Sequence, residues 1–212
     1  MQRWVDYLRK PSVTVPTGSA PWPQVLEALR AARRPRGLDA RGASLVGENL
    51  SRLNLAGLDL TGADLTNAYL YGVNLSTAQL AECRMAGAVL QGSVLHNAVF
   101  TAADLAGADL QWTDMRGVDL TRVDLTGAHM AHARLANATL DGADLSGALA
   151  AHAGLLGATM RDAVLRGAHL RSVDLRGANL RGADLDTADL RGANLKGAAL
   201  RQVTMLGALY DV

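Results

Sequence analysis

The sequence predicts an all-β solenoid in which short extended segments alternate with turns, and one repeating pattern carries the prediction. Every fifth residue from Leu45 to Met205 is apolar, which makes 33 positions without a slip. The residue two places before each of them is small, most often Ala, and Asp or Asn is commonest between the two. Gly is commonest two places after the apolar residue. We call the apolar position i, so that each pentad runs from i − 2 to i + 2.

An extended segment explains the slots i − 2, i − 1 and i. Side chains alternate along a strand, so the small and the apolar residue point inward while the Asp or Asn points outward. Because five is odd, one continuous strand would place every second apolar residue in water. The chain must therefore turn in every pentad, and Gly or Asn at i + 2 supplies the positive φ of a type II turn. A period of five also spreads the apolar residues around a helix, which excludes a helical repeat.

The corner slot i + 2 shows a second, longer period in its residue type. Gly or Asn occupies it in 15 of 17 cases where the residue number ends in 7, from Gly47 to Gly207. Gly occupies it in only 7 of 17 cases where the number ends in 2, from Gly42 to Gln202. This predicts that alternate corners differ in turn chemistry and that each coil has an even number of sides.

The pentads resemble a known family. The stretches ADLTN, ADLAG, ADLSG, ANLRG and ADLRG resemble the A(D/N)LXX motif of the pentapeptide-repeat family, and the resemblance covers residues 38–210. It implies a right-handed quadrilateral parallel β-helix with four pentads in each coil. The chain would then form about eight coils and a rod about 40 Å long, at roughly 4.8 Å per coil.

The amino-acid composition limits the kinds of protein to which the chain can belong. The chain has 212 residues, is 49% hydrophobic and 4% aromatic, and carries a net charge of +1. The single cysteine, Cys83, excludes an internal disulfide and fits a reducing compartment. The sequence has no apolar run long enough to span a membrane and no apolar stretch of a secretory signal at its N-terminus. We therefore expect a cytoplasmic protein without a membrane partner.

Two segments are predicted. Residues 1–37 form a basic N-terminal segment of charge +5, and residues 38–212 form the repeat region, of charge −4. Solenoids need caps over their open ends, and four apolar residues at the spacing of one helical face predict a short capping α-helix in the first segment. These residues are Trp22, Val25, Leu26 and Leu29. The alternative is that the arginines of this segment bind an anionic partner.

The C-terminal end has no predicted capping helix. Leu206, Leu209 and Tyr210 either cover the last coil themselves or pair with a second molecule. An exposed terminal edge favours an end-to-end homodimer.

One face of the predicted rod is unusual. In a four-sided coil, residues twenty apart stack in columns, so outward residues can be assigned to faces. The aromatic/histidine face holds all the outward aromatic residues of the repeat region and four of the five histidines: Tyr69, Tyr71, Trp112, His129, His132, His152 and His169. Exposed aromatic residues among small ones predict a protein-contact surface. The alternative is sequence drift at corners that do not need Gly.

This face does not predict a metal site or a catalytic centre. Imidazole groups bind zinc or nickel, but no Cys joins His129, His132 and His152, and we expect no metal. The carboxylates are spread along columns, without a cleft that would shift their pKa values. The sequence contains neither a phosphate-binding Gly-rich loop nor a nucleophile elbow, so we expect no enzymatic activity and no cofactor.

A second surface feature is the acidic column. Its members share the slot i − 1 on one face: Asp64, Asp104, Asp124, Asp144 and Asp184. Either these carboxylates mimic a phosphate backbone, or Asp simply suits this slot. The last coils turn basic at i + 1, where Asp174, Asp184 and Asp189 offer pairing partners, so direct binding of nucleic acid is not expected.

The main functional hypothesis is a non-enzymatic rigid rod that binds a protein through a face or an end. The family resemblance adds an alternative, because one branch of the family consists of DNA mimics. These bind DNA gyrase and other type II topoisomerases and protect against quinolones or natural-product poisons. This chain departs from that branch in its net charge, in its single Phe at slot i and in lacking rod loops or a C-terminal dimer helix. A third hypothesis is a spacer without activity of its own.

Overall fold

A computed structural model describes residues 40–211 of the chain. The predicted capping helix with Trp22, Val25, Leu26 and Leu29 lies outside the described residues, as does the whole basic segment 1–37. Within residues 40–211 the chain forms neither a helix nor a strand of more than one bridge residue. Each pentad instead contributes one bridge residue at i − 1 and a two-residue turn at i + 1 and i + 2.

Parallel β-bridges join each coil of the solenoid to the next. They run from Ser44↔Asp64 to Asp189↔Leu209, and every one of them joins two residues twenty positions apart. Each coil therefore consists of four pentads, and the described region contains more than eight coils. The period of twenty and the parallel register agree with the sequence prediction.

The pentad centred on Leu65 shows how the backbone groups are paired. The N–H groups of Leu65 and Asn67 donate to carbonyls of the following coil, at 2.7 and 3.0 Å. The N–H of Asp64 donates to the Ala43 carbonyl of the preceding coil, at 2.7 Å. The N–H of Ala68 closes the turn by donating to the Leu65 carbonyl, at 2.9 Å. Buried backbone groups must be paired, and this pattern pairs them between coils although the segments are very short.

All corners have the same backbone conformation. Each of the 34 residues at i + 2, from Gly42 to Gly207, has a φ between 54° and 75°. The prediction that alternate corners differ in turn chemistry is therefore wrong, because only the residue type alternates. The N–H of every such residue up to Thr187 donates to the carbonyl nineteen positions later, and the four corners of the last coil keep the same φ without that bond.

The core consists of the side chains at the two inward slots, i and i − 2, which stack from coil to coil. From Ala40 to Leu190 almost all residues at i and i − 2 are buried, and Phe100 is the largest side chain among them. Ser93 and Thr113 replace Ala in the inward slot, and their hydroxyls donate to the carbonyls of Leu70 at 2.7 Å and Leu110 at 2.6 Å. These two inward polar groups are thus paired, as buried polar groups generally are.

The C-terminal coil, residues 191–211, leaves its inward slots open. Leu206, Leu209 and Tyr210 are 79%, 49% and 56% exposed, so they do not cover the end, contrary to one of the two expectations. A hollow of about 330 Å³ lies at this end, lined in part by Leu195, Leu200 and Tyr210. The N–H groups of Leu195 and Leu200, whose equivalents in earlier coils donate to the next coil, have no backbone acceptor within residues 40–211.

Candidate protein-contact face

The corner stack, formed by Trp112, His132 and His152, is the centre of the aromatic/histidine face. These residues occupy the slot i + 2 in three successive coils, with φ values of 61°, 61° and 59°. A left-handed conformation costs roughly 1–2 kcal/mol for a residue with a β-carbon, and a bulky residue there is uncommon. Each of these corners therefore has the conformation that Gly adopts best, although none of the three residues is Gly.

The three rings of the corner stack lie face to face. The ring centroids of Trp112 and His132 are 4.0 Å apart with an interplanar angle of 11°. Those of His132 and His152 are 5.1 Å apart with an angle of 6°. Trp112 nevertheless remains 62% exposed. The coil spacing brings the rings to stacking distance, so the stack presents a rigid, preorganised aromatic edge to solvent.

A second group of side chains on this face surrounds the two tyrosines. Tyr69 and Tyr71 belong to one pentad and are 54% and 47% exposed. The guanidinium of Arg52 lies over the Tyr71 ring, 5.8 Å from its centroid, in a cation–π arrangement. Sequence analysis did not assign Arg52 to the face. Its N–H donates to the Tyr71 carbonyl, and the separation of nineteen residues would have identified it as a neighbour.

The remaining histidines of the face stand apart from the stack. His129 and His169 lie in the bridge column, where Leu149 separates them, and Leu149 is itself 38% exposed. No group of three or more His, Cys, Asp or Glu side chains in residues 40–211 is arranged to hold a metal ion. In the same region, the structure contains no helix long and apolar enough to cross a membrane.

The acidic column forms as predicted, but its two ends are neutralised. Arg84 pairs with Asp64 at 2.8 Å, and Arg166 pairs with Asp184 at 2.5 Å. The Thr66 hydroxyl, helped by Arg84, lowers the pKa of Asp64. Partial burial alone would raise the pKa of Asp184, but hydrogen bonds from the Asp186 N–H and from Arg166 lower it.

The middle of the acidic column consists of Asp104, Asp124 and Asp144, which are joined by direct bridges. In each, Oδ1 accepts the backbone N–H two residues later, at 3.0, 2.9 and 2.9 Å. This contact explains why Asp suits the slot i − 1, since it caps the turn that follows. None of the three forms an ion pair with any residue of the described solenoid, so three negative charges remain on this side.

Four of the eight basic residues at i + 1 in the last coils form ion pairs with Asp, namely Arg161, Arg166, Arg176 and Arg191. Arg176 pairs with Asp174 at 2.8 Å and Arg191 pairs with Asp189 at 2.7 Å, each two residues along the chain. Each side chain bridges i − 1 and i + 1 of its own pentad. These pairs break up the positive charge into local dipoles.

Arg161 lies beside a shallow surface hollow of about 570 Å³, which sequence analysis did not find. Arg122, Asp141 and Asp162 also line it. Arg161 hydrogen-bonds to Asp141 in the preceding coil through both its backbone N–H and its guanidinium. Arg161 and Asp141 therefore satisfy each other in the wall of the hollow.

Comparison with known proteins agrees with this geometry. A sequence model described as pentapeptide repeats matches the chain in eight copies, and the matched segments overlap and together span residues 36–205. A search of curated protein sequences found no match.

Solved structures of pentapeptide-repeat proteins also resemble the chain. HetL, which is involved in heterocyst differentiation regulation in the cyanobacterium Nostoc, is 28% identical over 88% of this chain and 95% of its own, with a TM-score of 0.32. A trypsin-treated variant of QnrB1, a plasmid-mediated fluoroquinolone resistance protein, is 22% identical over 79% of this chain and 89% of its own, with a TM-score of 0.51. The QnrB1 likeness shows a shared fold. The repeat matches extend over most of the sequence and the coils have the expected period, so the chain belongs to the pentapeptide-repeat family.

Proposed function

We propose that the chain is a non-enzymatic rod that binds a protein partner through the aromatic/histidine face. The corner stack is the observation that carries this proposal. Its three residues occupy one corner column in successive coils, and their rings stack while Trp112 stays 62% exposed. Stacked, exposed aromatic rings on a rigid scaffold are typical of the anchors of a protein interface.

Glycine substitution at these corners provides a clean test. Replacing Trp112, His132 and His152 together by Gly removes the rings and relieves the left-handed strain, so the rod should remain folded. A matched control replaces Glu82, Ala102 and Arg122 together by Gly. These residues occupy another corner column in three successive coils, with φ values of 58°, 57° and 55°.

The measurement is affinity capture from the native host with the wild type and the two triple variants, quantified by mass spectrometry. We expect a protein that the wild type and the control retain and that the Trp112, His132 and His152 variant loses. If all three rods capture the same proteins in the same amounts, the aromatic/histidine face is not the binding surface.

A second candidate function is DNA mimicry directed at a type II topoisomerase such as DNA gyrase. The unpaired carboxylates of Asp104, Asp124 and Asp144, aligned in successive coils, favour it. We expect the wild type to inhibit DNA supercoiling by gyrase or to relieve the DNA cleavage that quinolones stabilise. The variant in which Asp104, Asp124 and Asp144 are all replaced by Asn should do neither. A wild-type rod without effect in either assay would exclude this candidate.

A further inference from the structure

The acidic column carries charge that nothing in the described chain neutralises. Its middle members, Asp104, Asp124 and Asp144, follow one another through direct parallel bridges. Each of them uses Oδ1 to accept the backbone N–H two residues later. Within residues 40–211, Oδ2 of each carboxylate has no hydrogen-bond or ion-pair partner. One oxygen of every carboxylate is therefore free to accept a bond from a guanidinium.

This arrangement is peculiar to the acidic column. In the described coils, no other column of outward residues holds unpaired carboxylates in successive coils. Each of the three carboxylates is followed by a turn of two small residues, which are Ala106–Gly107, Thr126–Gly127 and Ser146–Gly147. A β-carbon added to any of these glycines would meet no atom within 4 Å. The surface beside the carboxylates is therefore open to a segment of chain.

The basic segment 1–37 supplies the opposite charge, and this observation is independent of the column. The segment carries a charge of +5, against −4 for residues 38–212. Four of its arginines lie within ten residues of Ala40, where the described structure begins: Arg30, Arg33, Arg34 and Arg36. Ala40 lies one corner before Ser44, with which the bridge series of the acidic column starts. The basic segment therefore joins the rod beside the acidic column.

The length of this chain matches the distance to the carboxylates. Three bridges separate Ser44 from Asp104 and five separate it from Asp144, about 14 and 24 Å at about 4.8 Å per coil. An extended chain covers at most about 3.3–3.6 Å per residue, so the four residues from Arg36 to Ala40 span about 13–14 Å. The ten residues from Arg30 to Ala40 span about 33–36 Å. Arginines in this stretch thus reach from the first free carboxylate to the last.

We infer that residues 30–36 fold back along the rod and dock on the acidic column through arginine–carboxylate pairs. The inference assigns the arginines an anionic partner, and that partner is the rod itself. It goes beyond both proposed functions, because it concerns the chain alone. A protein that binds the acidic column must first displace the segment, so the contact is autoinhibitory for the second candidate function.

Several weak pairs suffice for this contact. A single exposed ion pair contributes little to stability. Here three carboxylates face four arginines, and the pairs act together. A segment joined to its site by a short stretch of chain meets it at an effective concentration on the order of millimolar. The contact is therefore populated within one chain, although the same pairs between separate molecules would be weak.

Carbodiimide coupling in the full chain tests the contact, because it joins an amine to a carboxylate that touches it. Arg34→Lys keeps the charge and supplies the amine, and Lys196 in the last coil is an internal control. We expect mass spectrometry to find links from position 34 to the three free carboxylates and none from Lys196 to them. The links should disappear in about 1 M salt, where the Debye length is about 3 Å.

A mixture of isotope-labelled and unlabelled chains shows whether a link joins one chain or two. Absence of links to the three carboxylates would overturn the inference. Links that persist in high salt, or that form only between two chains, would overturn it as well.

A charge variant tests the same contact without a coupling reagent. Replacing Asp104, Asp124 and Asp144 together by Asn removes the charge and keeps the turn cap. Asn194 shows this in the same slot, since its Oδ1 accepts the Lys196 N–H at 3.1 Å. The matched control replaces Asp109 and Asp119 by Asn. These two residues cap their turns from the slot i − 1 on other faces and form no ion pair within residues 40–211.

The measurement is the rate at which trypsin cleaves the full chain after Arg36. We expect the triple variant to be cleaved about three- to tenfold faster than the wild type, because docking protects the segment. The control should be cleaved at the wild-type rate. Equal rates in all three proteins would overturn the inference, and a segment that only capped the open end of the rod would give that result.

Both experiments use the purified chain without a partner. Their failure would leave the two proposed functions standing, because the capture experiment and the gyrase assays test those separately. Failure of those assays would in turn leave the docking of the segment in place.

Discussion

The residue at i + 2 decides how much strain each corner holds. Gly adopts the left-handed conformation without penalty, and Asn tolerates it, but other residues are held there by the coil-to-coil hydrogen bonds. Trp112 and His132 compensate part of this strain by ring stacking, which is worth roughly 0.5–1.5 kcal/mol for an aromatic pair. Ala102, with a φ of 57°, has no side chain that could do the same.

Ala102→Gly should therefore stabilise the rod. We expect the free energy of unfolding to rise by roughly 0.5–1 kcal/mol, the left-handed penalty less the entropy that Gly loses on folding. Denaturant unfolding monitored by circular dichroism provides the measurement.

Ala106→Gly is the control for this prediction, because Ala106 occupies the neighbouring turn slot without a positive φ. It should destabilise the rod through the entropy of Gly alone. Equal effects of the two substitutions would show that the corner conformation is not strained.

At the scale of the element, each pentad is a turn capped by its own side chain. The carboxylate at i − 1 accepts the N–H of i + 1, and in three pentads an Arg at i + 1 also pairs with it. These pairs are Asp114–Arg116, Asp174–Arg176 and Asp189–Arg191. The hydrogen bond from the Arg side chain is the main cause that lowers the pKa of each Asp below its ordinary value of 3.8.

Acid should weaken these pentads. Because the folded state lowers the pKa of these carboxyls, their stabilising contribution is complete above about pH 4 and is lost as the pH falls through the lowered values. We expect the Tm to fall between about pH 4 and pH 2. In the control variant, Arg116, Arg176 and Arg191 are replaced by Gln. The Tm of this variant should fall less steeply over the same pH range. An identical pH profile in both proteins would show that the pairs contribute nothing measurable.

At the scale of the whole molecule, the two inward slots form one continuous core that the C-terminal coil leaves open. Leu200 is 41% exposed and Tyr210 is 56% exposed, beside backbone N–H groups without acceptors in the described chain. An open edge of this kind can pair with the same edge of a second copy about a two-fold axis. We propose that this end forms a homodimer.

Sedimentation of the wild type and of a Leu200→Arg, Tyr210→Arg variant tests the dimer. We expect the wild type to sediment as a dimer whose mass depends on concentration, and the variant as a monomer. The charges oppose burial of the end, but Leu200 and Tyr210 are 41% and 56% exposed, so the charged groups can reach water and the variant should retain the circular dichroism of the rod. A wild type that is monomeric at all concentrations would exclude the dimer.

Much of the fold could be predicted from the sequence, because the conformation of each pentad depends on residues that are close together in the chain. Side-chain alternation assigns the inward slots, and the odd period forces a turn in each pentad, so residues such as Leu65 and Cys83 could be placed in the core. The resemblance to pentapeptide repeats added the twenty-residue coil, which placed Trp112, His132 and His152 in one column. The acidic column followed from the same arithmetic.

The sequence by itself thus determined the register, the inward set and the columns, since these depend only on spacing along the chain. The tertiary structure decided that all corners share one φ whatever the residue, and hydrogen bonds between coils support that φ in every coil but the last. It also decided that the three rings of the corner stack lie face to face, that the Arg52 guanidinium lies over the Tyr71 ring, and that Asp64 and Asp184 are neutralised. These outcomes depend on the rotamers that neighbouring coils allow one another, and spacing along one chain does not specify a rotamer.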